Sequence, residues 1–396
     1  MIRSVAVLGG GPAGCFAATQ LASAGLAVQL FDEKLAWEKP CGGGLTFKAY
    51  RQYPFLLHNA TPKRLVTETT LGADGAGEAR LKLHDPLLIY SRLDLNGMLL
   101  DRAEQAGVQI EKARVLEMSR AGSRWRLRTS AGVAEADYSI LATGARNSLR
   151  NFGTQLHPQD TMAALGYYVD GEQENIDVQF LEGLEGYIWV FPRCGHLSVG
   201  ICGKGVPAVE LRGRLDFYMR ERGISSAGAR FYSHLLPCLD KGSWRHNRVA
   251  GDGWMAVGDA AGLVDPITGE GIYYAMRSGD LAAQALLAEM REAEPAAAYR
   301  RLLRRDFAID LEFGSRLAKR VFLGRFLCAP LPRRMVEFTR HSPRFAAVME
   351  DLFAGRQPYT GLKRRLLSNL NGSLYEMGIS LGFSRVVPWR FSQPRP

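Results

Sequence analysis

The most constraining feature of this sequence is a glycine-rich turn that follows an apolar strand and opens a helix. The turn is GGGPAG at 9–14, the preceding strand is Ser4–Leu8, and helical periodicity continues to about residue 24. A second apolar strand, Ala27–Phe31, follows, and Asp32 stands at its end. This order of elements predicts a βαβ unit, the first piece of a Rossmann-like α/β domain with a parallel sheet.

The spacing within the turn indicates a dinucleotide site. Gly9 permits a tight turn, Gly11 lets the backbone approach a pyrophosphate, and Gly14 lets helix and strand pack closely. The helix N-terminus offers N–H groups to phosphates, and Asp32 is placed to accept hydrogen bonds from a ribose. The residues predicted at this end of the cofactor are Gly9, Gly11, Pro12, Ala13, Gly14, Asp32 and Glu33.

A second glycine cluster decides between the flavin and nicotinamide dinucleotides. It comprises GDAAG at 258–262 and GEGI at 269–272. A carboxylate at a strand end, Asp259, can bond the ribityl hydroxyls of a flavin, and the GEG turn opens a long helix whose dipole stabilises negative charge on a reduced isoalloxazine. The sequence therefore predicts FAD, with Asp259, Pro266, Gly269, Glu270, Gly271 and Ile272 at its ring end.

The βαβ-like pieces lie apart in the sequence, so the domains are predicted to be discontinuous. Alternating apolar and polar positions around 61–90 and 160–205 indicate an antiparallel sheet between them. The predicted fold is a glutathione-reductase-type FAD domain, an inserted β-rich substrate domain and a helical C-terminal region. Their predicted ranges are 1–60, 90–150 and 250–295 for the first, 61–89 and 151–249 for the second, and 296–396 for the third.

Composition excludes some classes of protein. No apolar run reaches the ~20 residues of a membrane span, and we expect neither a signal peptide nor a nucleic-acid partner. The six cysteines form no CxxC pair and no metal spacing exists, so a cytoplasmic protein without a metal site is expected. The net charge is +10, and residues 300–340 hold eleven Lys/Arg against four Asp/Glu among apolar residues. Such a segment suits peripheral contact with an anionic membrane, or is an ordinary solvated helix face.

Four separated motifs resemble the geranylgeranyl reductase family, within the flavoproteins typified by p-hydroxybenzoate hydroxylase. Besides the two glycine clusters, they are the loop KPCGGGL at 39–45 and the strand YIWVFPR at 187–193, which has Arg where the family usually has Lys. LFAG at 352–355 and Tyr359 resemble the family's C-terminal helices. The resemblance covers most of the chain.

The resemblance implies FAD, a reductant such as NADPH or ferredoxin, and saturation of isoprenoid C=C bonds. It places the loop of Cys41, Gly42, Gly43 and Gly44 beside the flavin. Arg92 matches an Arg that approaches the flavin nucleotide's phosphates. At Gly144 the motif departs from the larger group, because Thr143 stands where an Asp that contacts pyrophosphate and pyridine nucleotide is expected.

Alkene reduction needs a hydride from flavin N5 and a proton from a nearby acid or ordered water. We predict Cys41 near the reacting centre; otherwise it is a small buried hydrophobe. Tyr187, Trp189 and Phe191 alternate along one strand and share a face. They are predicted to form the wall of an isoprenoid pocket, with Tyr187 and Trp189 beside the chemistry. The alternative is that they are one side of an ordinary sheet core.

Two further function classes stay open at this point. A flavin monooxygenase or halogenase shares the Gly9 and Asp259 motifs, and a halogenase would present a catalytic lysine after the first βαβ unit, where Lys63 and Lys82 lie. A non-catalytic flavin- or isoprenoid-binding protein is the third class. The seven histidines show no ligand spacing and receive no predicted role.

Overall fold

A computed structural model describes residues 2–149, 151–288 and 294–386, with side chains to residue 380. Residues 387–396 of the predicted helical region lie outside the described residues. In chain order the strands are β1 Ser4–Leu8, β2 Ala27–Phe31, β3 Gly44–Leu45, β4 Arg64–Ala73, β5 Gly77–Ile89, β6 Gln109–Glu111, β7 Val115–Ala121, β8 Arg124–Thr129, β9 Gly132–Ala136, β10 Tyr138–Leu141, β11 Thr161–Val169, β12 Ile176–Phe180, β13 Gly186–Pro192, β14 Leu197–Lys204, β15 Arg230–Pro237, β16 Ala250–Gly251, β17 Trp254–Ala256, β18 Arg325–Phe326 and β19 Ala329–Pro330. The helices are α1 Pro12–Ser23, α2 Phe47–Gln52, α3 Arg92–Gln105, α4 Ala208–Glu221, α5 Lys241–His246, α6 Ile272–Ala288, α7 Pro295–Leu303, α8 Ile309–Leu323, α9 Leu331–His341, α10 Pro343–Phe353 and α11 Tyr359–Val386.

The first sheet has the order β16-β17-β10-β1-β2-β6 and is parallel from β17 to β6. Its central strands are mostly apolar, and Val5–Leu8 and Tyr138–Leu141 are buried because both faces of the sheet are covered. Helices α1 and α6 pack so closely that a Cβ at Gly279 would overlap the Ala13 carbonyl. The small sheet β7-β8-β9 packs against the same domain. Trp125 of β8 donates its Nε1–H to the Gly253 carbonyl at 2.7 Å. The predicted Rossmann-like fold is confirmed.

The second sheet has the order β15-β11-β14-β13-β12-β4-β5-β3. It was expected to be antiparallel, but β4 and β12 pair in parallel. The reason is topological, because two separate segments of the chain contribute strands to this sheet. β4 and β5 come from the first segment, and β12 of the second segment lies beside β4 and runs in the same direction. One face packs on α4 through Leu211 and Leu215, and the other packs on α8, α9 and α10.

The basic segment at 300–340 belongs to helices that pack on both domains, on α6 of the first and on this face of the second sheet. Leu303, Phe307 and Phe322 are buried, with exposed fractions of 3%, 3% and 2%. Phe322 packs against Phe180 of β12, and Phe307 against Tyr274 of α6. The apolar side of these helices is therefore occupied by protein. Within the part of the chain that the structure describes, no helix combines the length and hydropathy of a membrane span.

Candidate functional site

A cavity of about 700 Å³ lies where the carboxyl ends of the parallel strands face β15 of the second sheet. Ligands of open α/β sheets bind at this edge. Of the residues predicted from sequence, those that line the cavity are Gly9, Gly11, Pro12, Ala13, Asp32, Glu33, Cys41, Arg92, Gly144, Asp259, Gly269, Gly271 and Ile272. Those that do not line it are Gly14, Gly42, Gly43, Gly44, Pro266, Glu270, Tyr187, Trp189 and Phe191.

The Gly-rich end of the cavity is formed by residues 9–14 and Asp32. Gly9 has φ +117°, and a Cβ there would overlap the Ala142 carbonyl, while a Cβ at Gly14 would overlap the Gly9 carbonyl. These two glycines are required by the fold itself. A Cβ at Gly11 would meet no protein atom within 4 Å and would project into open space. The protein's own packing therefore does not require glycine at position 11. The absence of a side chain there leaves space for a ligand.

Asp32 organises the turn around it as well as lining the cavity. Its carboxylate accepts N–H groups of Gly10, Lys34 and Leu35, each at 2.7 Å. Nearby, Arg92 is buried at the start of α3, and its Nη2 donates to Asn96 at 3.2 Å. Its Nε has no partner among the described residues. A buried cation that lines the cavity together with the first residues of α1 fits an anionic diphosphate.

The loop end of the cavity comprises residues 38–45, Asp259 and the turn at 269–271. Lys39 Nζ lies 3.3 Å from the Asp259 carboxylate. Burial raises the pKa of Asp259, but the charge and the hydrogen bond of Lys39 outweigh burial and hold the pKa below its ordinary value. Burial and Lys39 lower the pKa of His234 to about 3, so this imidazole is neutral. Sequence reasoning missed His234 and Lys39; the signal was that Tyr232, His234 and Leu236 alternate toward one face of β15.

The loop bearing Cys41 is fastened by Arg193, which follows β13 and is fully buried. The Arg193 guanidinium binds the Glu38 carboxylate and the Cys41 carbonyl. Burial alone would raise the pKa of Glu38. The Arg193 charge and the hydrogen bonds from Ser91 and the Arg92 N–H outweigh burial, so the pKa lies below its ordinary value. One buried ion pair thus joins the cavity loop, the aromatic strand and the start of α3. Sequence reasoning noted Arg193 only as a replacement for Lys.

The half-buried Cys41 is on the cavity wall, where its Sγ accepts the Gly43 N–H at 3.3 Å. The three glycines after it serve packing. A Cβ at Gly43 would overlap the Tyr90 carbonyl, and Gly42 and Gly44 lie against the Phe191 ring.

Tyr187, Trp189 and Phe191 share one face of β13, as predicted, and lie in the layer behind the cavity wall. Trp189 is 6% exposed, and its Nε1 lies 3.4 Å from Ser198 Oγ. Tyr187 donates to the Thr268 carbonyl, and its hydroxyl is 3.3 Å from where a Gly269 Cβ would stand. The aromatic face therefore contacts the loop end of the cavity from behind.

The turn before α6 is held by the buried carboxylate of Asp265 and the half-buried carboxylate of Glu270. Asp265 accepts N–H groups of Ile267 and Thr268 at 2.9 Å and the Tyr359 hydroxyl at 2.9 Å. Burial raises the pKa of Glu270 to about 7, and Thr46 donates to its carboxylate at 3.3 Å. This network ties the start of α11 to the turn.

No cluster of His, Cys, Asp and Glu in the described ranges could hold a metal ion. The cavity instead fits an extended dinucleotide. The open space at Gly11, the Arg92 side chain and the first residues of α1 and α6 all line it.

Comparisons with known proteins agree with this geometry. Residues 3–156 match the pyridine nucleotide-disulphide oxidoreductase family. Relatives include the chloroplastic geranylgeranyl diphosphate reductase of Arabidopsis thaliana, 28% identical over 72% of this chain and 65% of that protein. The menaquinone reductase of Mycobacterium tuberculosis is 30% identical over 71% of this chain and 76% of that protein.

Solved structures show the same fold. A geranylgeranyl bacteriochlorophyll reductase-like protein from Thermoplasma acidophilum superposes with a TM-score of 0.76 at 21% identity, covering 93% of this chain and all of that one. A flavin-dependent brominase superposes with a TM-score of 0.69 at 17% identity, over 94% of this chain and 99% of that one. At these identities the likeness concerns the fold and leaves the reaction to other observations.

Proposed function

Because this chain belongs to the geranylgeranyl reductase family of FAD-dependent oxidoreductases, we propose that it saturates C=C bonds in the isoprenoid chain of a lipid or diphosphate. Relatives named for geranylgeranyl diphosphate and for menaquinone support a prenyl chain as the common feature of the substrate. The observation that carries the proposal is the contact between the Cys41 loop and the aromatic face of β13 at one end of the cofactor cavity.

The aromatic face continues as a series of rings away from the cavity. Trp189 and Tyr187 have centroids 6.1 Å apart, Tyr187 and Phe180 6.5 Å, and Phe180 and Phe322 6.3 Å. Ile267 and Phe191 pack on the same cluster. Apolar and aromatic surfaces are what a long hydrocarbon chain binds, since it offers almost no hydrogen-bonding groups. This cluster adjoins the loop end of the cavity through the contact of Phe191 with the Cys41 loop, and this supports an apolar substrate at that end.

When bound, FAD supplies the hydride that alkene reduction requires. The protein must supply a proton to the second carbon and exclude water. Cys41, on the cavity wall, and Tyr187, behind it, are the proposed groups at this position. Burial raises the pKa of Tyr187 far above its ordinary range, so its hydroxyl stays protonated but is a weak acid, and Cys41 is the first candidate for the proton donor. Trp189 and Phe191 are proposed to hold the chain against this wall.

The electron donor in the proposal is NADPH or another external reductant. Thr143 and Arg146 line the cavity beside Gly144, where a reductant could approach. Because this stretch lacks the acid of the larger group, the donor is best identified by comparing flavin reduction rates with NADPH, NADH and reduced ferredoxin under argon.

The proposal is tested in a single anaerobic turnover. Photoreduced holoenzyme is mixed with geranylgeranyl diphosphate, and flavin reoxidation is followed by absorbance near 450 nm, roughly where oxidised flavins absorb. The control is phytanyl diphosphate, which has the same headgroup and no double bond. We expect geranylgeranyl diphosphate to reoxidise the flavin and phytanyl diphosphate to leave it reduced. We expect Cys41→Ser and Tyr187→Phe to slow this step while leaving flavin content unchanged.

Oxygen-dependent chemistry is the competing outcome of the same experiment. If the flavin reoxidises only after O₂ is admitted, with a hydroxylated or halogenated product, a monooxygenase or halogenase is the better account. The lysines that would serve a halogenase are poorly placed. Lys63 Nζ donates to the carbonyls of Asn59 at 2.8 Å and Thr61 at 3.2 Å, Lys82 is exposed on β5, and neither lines the cavity.

A further inference from the structure

A two-residue hairpin turn between β18 and β19 exposes apolar side chains on an unfavourable backbone. Leu327 and Cys328 have φ of +47° and +63°, values that favour Asn and Gly in such turns. Leu327 is 47% exposed, and Leu323 and Phe326 beside it are 40% and 36% exposed. Neither the positive φ angles nor the exposed apolar side chains stabilise the folded chain. We therefore infer that this turn contacts a partner outside the chain.

The backbone of this turn is already supplied with hydrogen bonds. Arg334 donates from Nη2 to the Leu327 carbonyl at 2.7 Å and from Nε to the Phe326 carbonyl at 3.3 Å. Arg325 donates to the Cys328 carbonyl at 2.9 Å. A carbonyl without a partner strongly opposes transfer out of water. Because these three carbonyls have partners from Arg325 of the hairpin and Arg334 of α9, the cost of removing them from water is reduced.

Positive charge surrounds the tip. Arg316 pairs with Glu312, and Arg333 and Arg334 pair with Glu337. By contrast Lys319, Arg320 and Arg325 are exposed and have no carboxylate partner in the portion of the chain described. An apolar tip framed by unpaired cations complements a surface that is anionic outside and apolar beneath, as a bilayer of acidic lipids is.

We propose that residues 323–328 form a membrane-docking tip that inserts Phe326 and Leu327 into an anionic lipid surface, with Lys319, Arg320 and Arg325 at the headgroups. The contact lies at the hairpin and not on the buried apolar side of the basic helices. Helix α8, which leads into the tip, carries Phe322 at the outer end of the aromatic series. This surface goes beyond the proposed reaction, which does not depend on it.

The test is co-sedimentation of the full-length holoenzyme with vesicles. We compare phosphatidylcholine vesicles with vesicles that contain about 30% phosphatidylglycerol. The informative variant is Leu327→Asn, because Asn tolerates a positive φ and should leave the fold intact or more stable. Its matched control is Leu116→Asn, the same change at an exposed leucine of β7 that is 42% exposed.

We expect binding to anionic vesicles that weakens about tenfold in Leu327→Asn, the scale of a lost leucine insertion. Lys319→Gln/Arg320→Gln should lower it by roughly tenfold as well, and about 0.5 M NaCl should weaken the wild type. Leu116→Asn should bind as the wild type does. Equal binding by Leu327→Asn and Leu116→Asn would overturn the proposal. The proposal would also be overturned if the wild type bound neither kind of vesicle. In that case, a dimer in sedimentation velocity that Leu327→Asn dissociates would show that the tip contacts a second copy of the chain.

Activity keeps the two proposals separate. With detergent-dispersed geranylgeranyl diphosphate, Leu327→Asn should reoxidise its flavin at the wild-type rate. Loss of vesicle binding with this rate retained supports the docking tip. Failure of every variant and of the wild type to reduce the dispersed alkene would count against the proposed function and leave the vesicle result standing.

Discussion

The two ends of the cofactor cavity are built in different ways. At the Gly-rich end most contacts are local, since a Cβ at Gly14 would overlap the Gly9 carbonyl of the same turn, and Gly9 alone is set from outside the unit, by the Ala142 carbonyl after β10. At the loop end, segments more than 150 residues apart meet through buried polar contacts such as Glu38 with Arg193. The first end therefore depends on steric fit and the second on paired charges, so substitutions should affect them differently.

The largest effect is expected at the loop end, from Arg193→Met. Removing the guanidinium leaves the Glu38 carboxylate buried without its cation, which typically costs about 3–5 kcal/mol of unfolding free energy. Urea unfolding measures this, and faster modification of Cys41 by a thiol reagent would report release of the loop. Glu38→Gln combined with Arg193→Met should recover part of the loss, because no buried charge remains. An equal loss in the single and double variants would show that the ion pair is not the link.

At the Gly-rich end the comparison is between two alanines. Gly14→Ala places a Cβ into the Gly9 carbonyl and should cost about 3 kcal/mol in stability and abolish FAD retention. Gly11→Ala meets no protein atom, so the flavin-free protein should keep its Tm while FAD affinity falls by tenfold or more, roughly 1.4 kcal/mol. Thermal unfolding and FAD titration separate the two effects. A lowered Tm in flavin-free Gly11→Ala would contradict the account of that position.

Glu270 makes the loop end sensitive to pH. Its pKa rises from 4.5 to about 7 on folding because it is buried. The folded state therefore holds a proton that the unfolded state releases, and this contribution is complete below pH 4.5 and lost as pH rises through 7. Relative to Glu270→Gln, the flavin-free wild type should lose on the order of 2 kcal/mol of unfolding free energy across that range. Parallel pH profiles for the two proteins would refute the shift.

The smallest effect is expected from Tyr359→Phe. This change removes the hydroxyl that donates to Asp265 and should cost about 1 kcal/mol, measured by urea unfolding. Tyr375→Phe is the control, since Tyr375 is 71% exposed on the same helix and should be neutral. If both variants are equally stable, the link between α11 and the turn before α6 is energetically unimportant.

The difference between local contacts at the Gly-rich end and long-range contacts at the loop end also explains which features could be predicted from the sequence. Gly14 and Asp32 were predictable because their constraints arise within the first βαβ unit, and Gly9 was predictable from the spacing of the turn although the Ala142 carbonyl of a distant segment excludes its Cβ. The alternation of Tyr187 with Trp189 was likewise local and is present in β13. These features, with the second glycine cluster, were enough for the fold class.

Contacts between distant segments could not be predicted in this way. Nothing near Arg193 in the sequence indicates Glu38, and His234 shows no ligand spacing yet faces the cavity. Gly42 was expected at the cofactor, but it packs against the Phe191 ring outside the cavity lining. A loop's own residues do not reveal which strand it will contact, so the loop end needed the structure.

The central claim is that the loop end places an alkene where the cofactor can reduce it. The most direct measurement is the mass of the lipid after one anaerobic turnover of reduced holoenzyme with geranylgeranyl diphosphate. The account predicts a product heavier by two hydrogen atoms for each flavin oxidised, and no such product from the enzyme without flavin. An unchanged lipid beside a flavin that stays reduced, or a product that gains oxygen or halogen only in air, would contradict it.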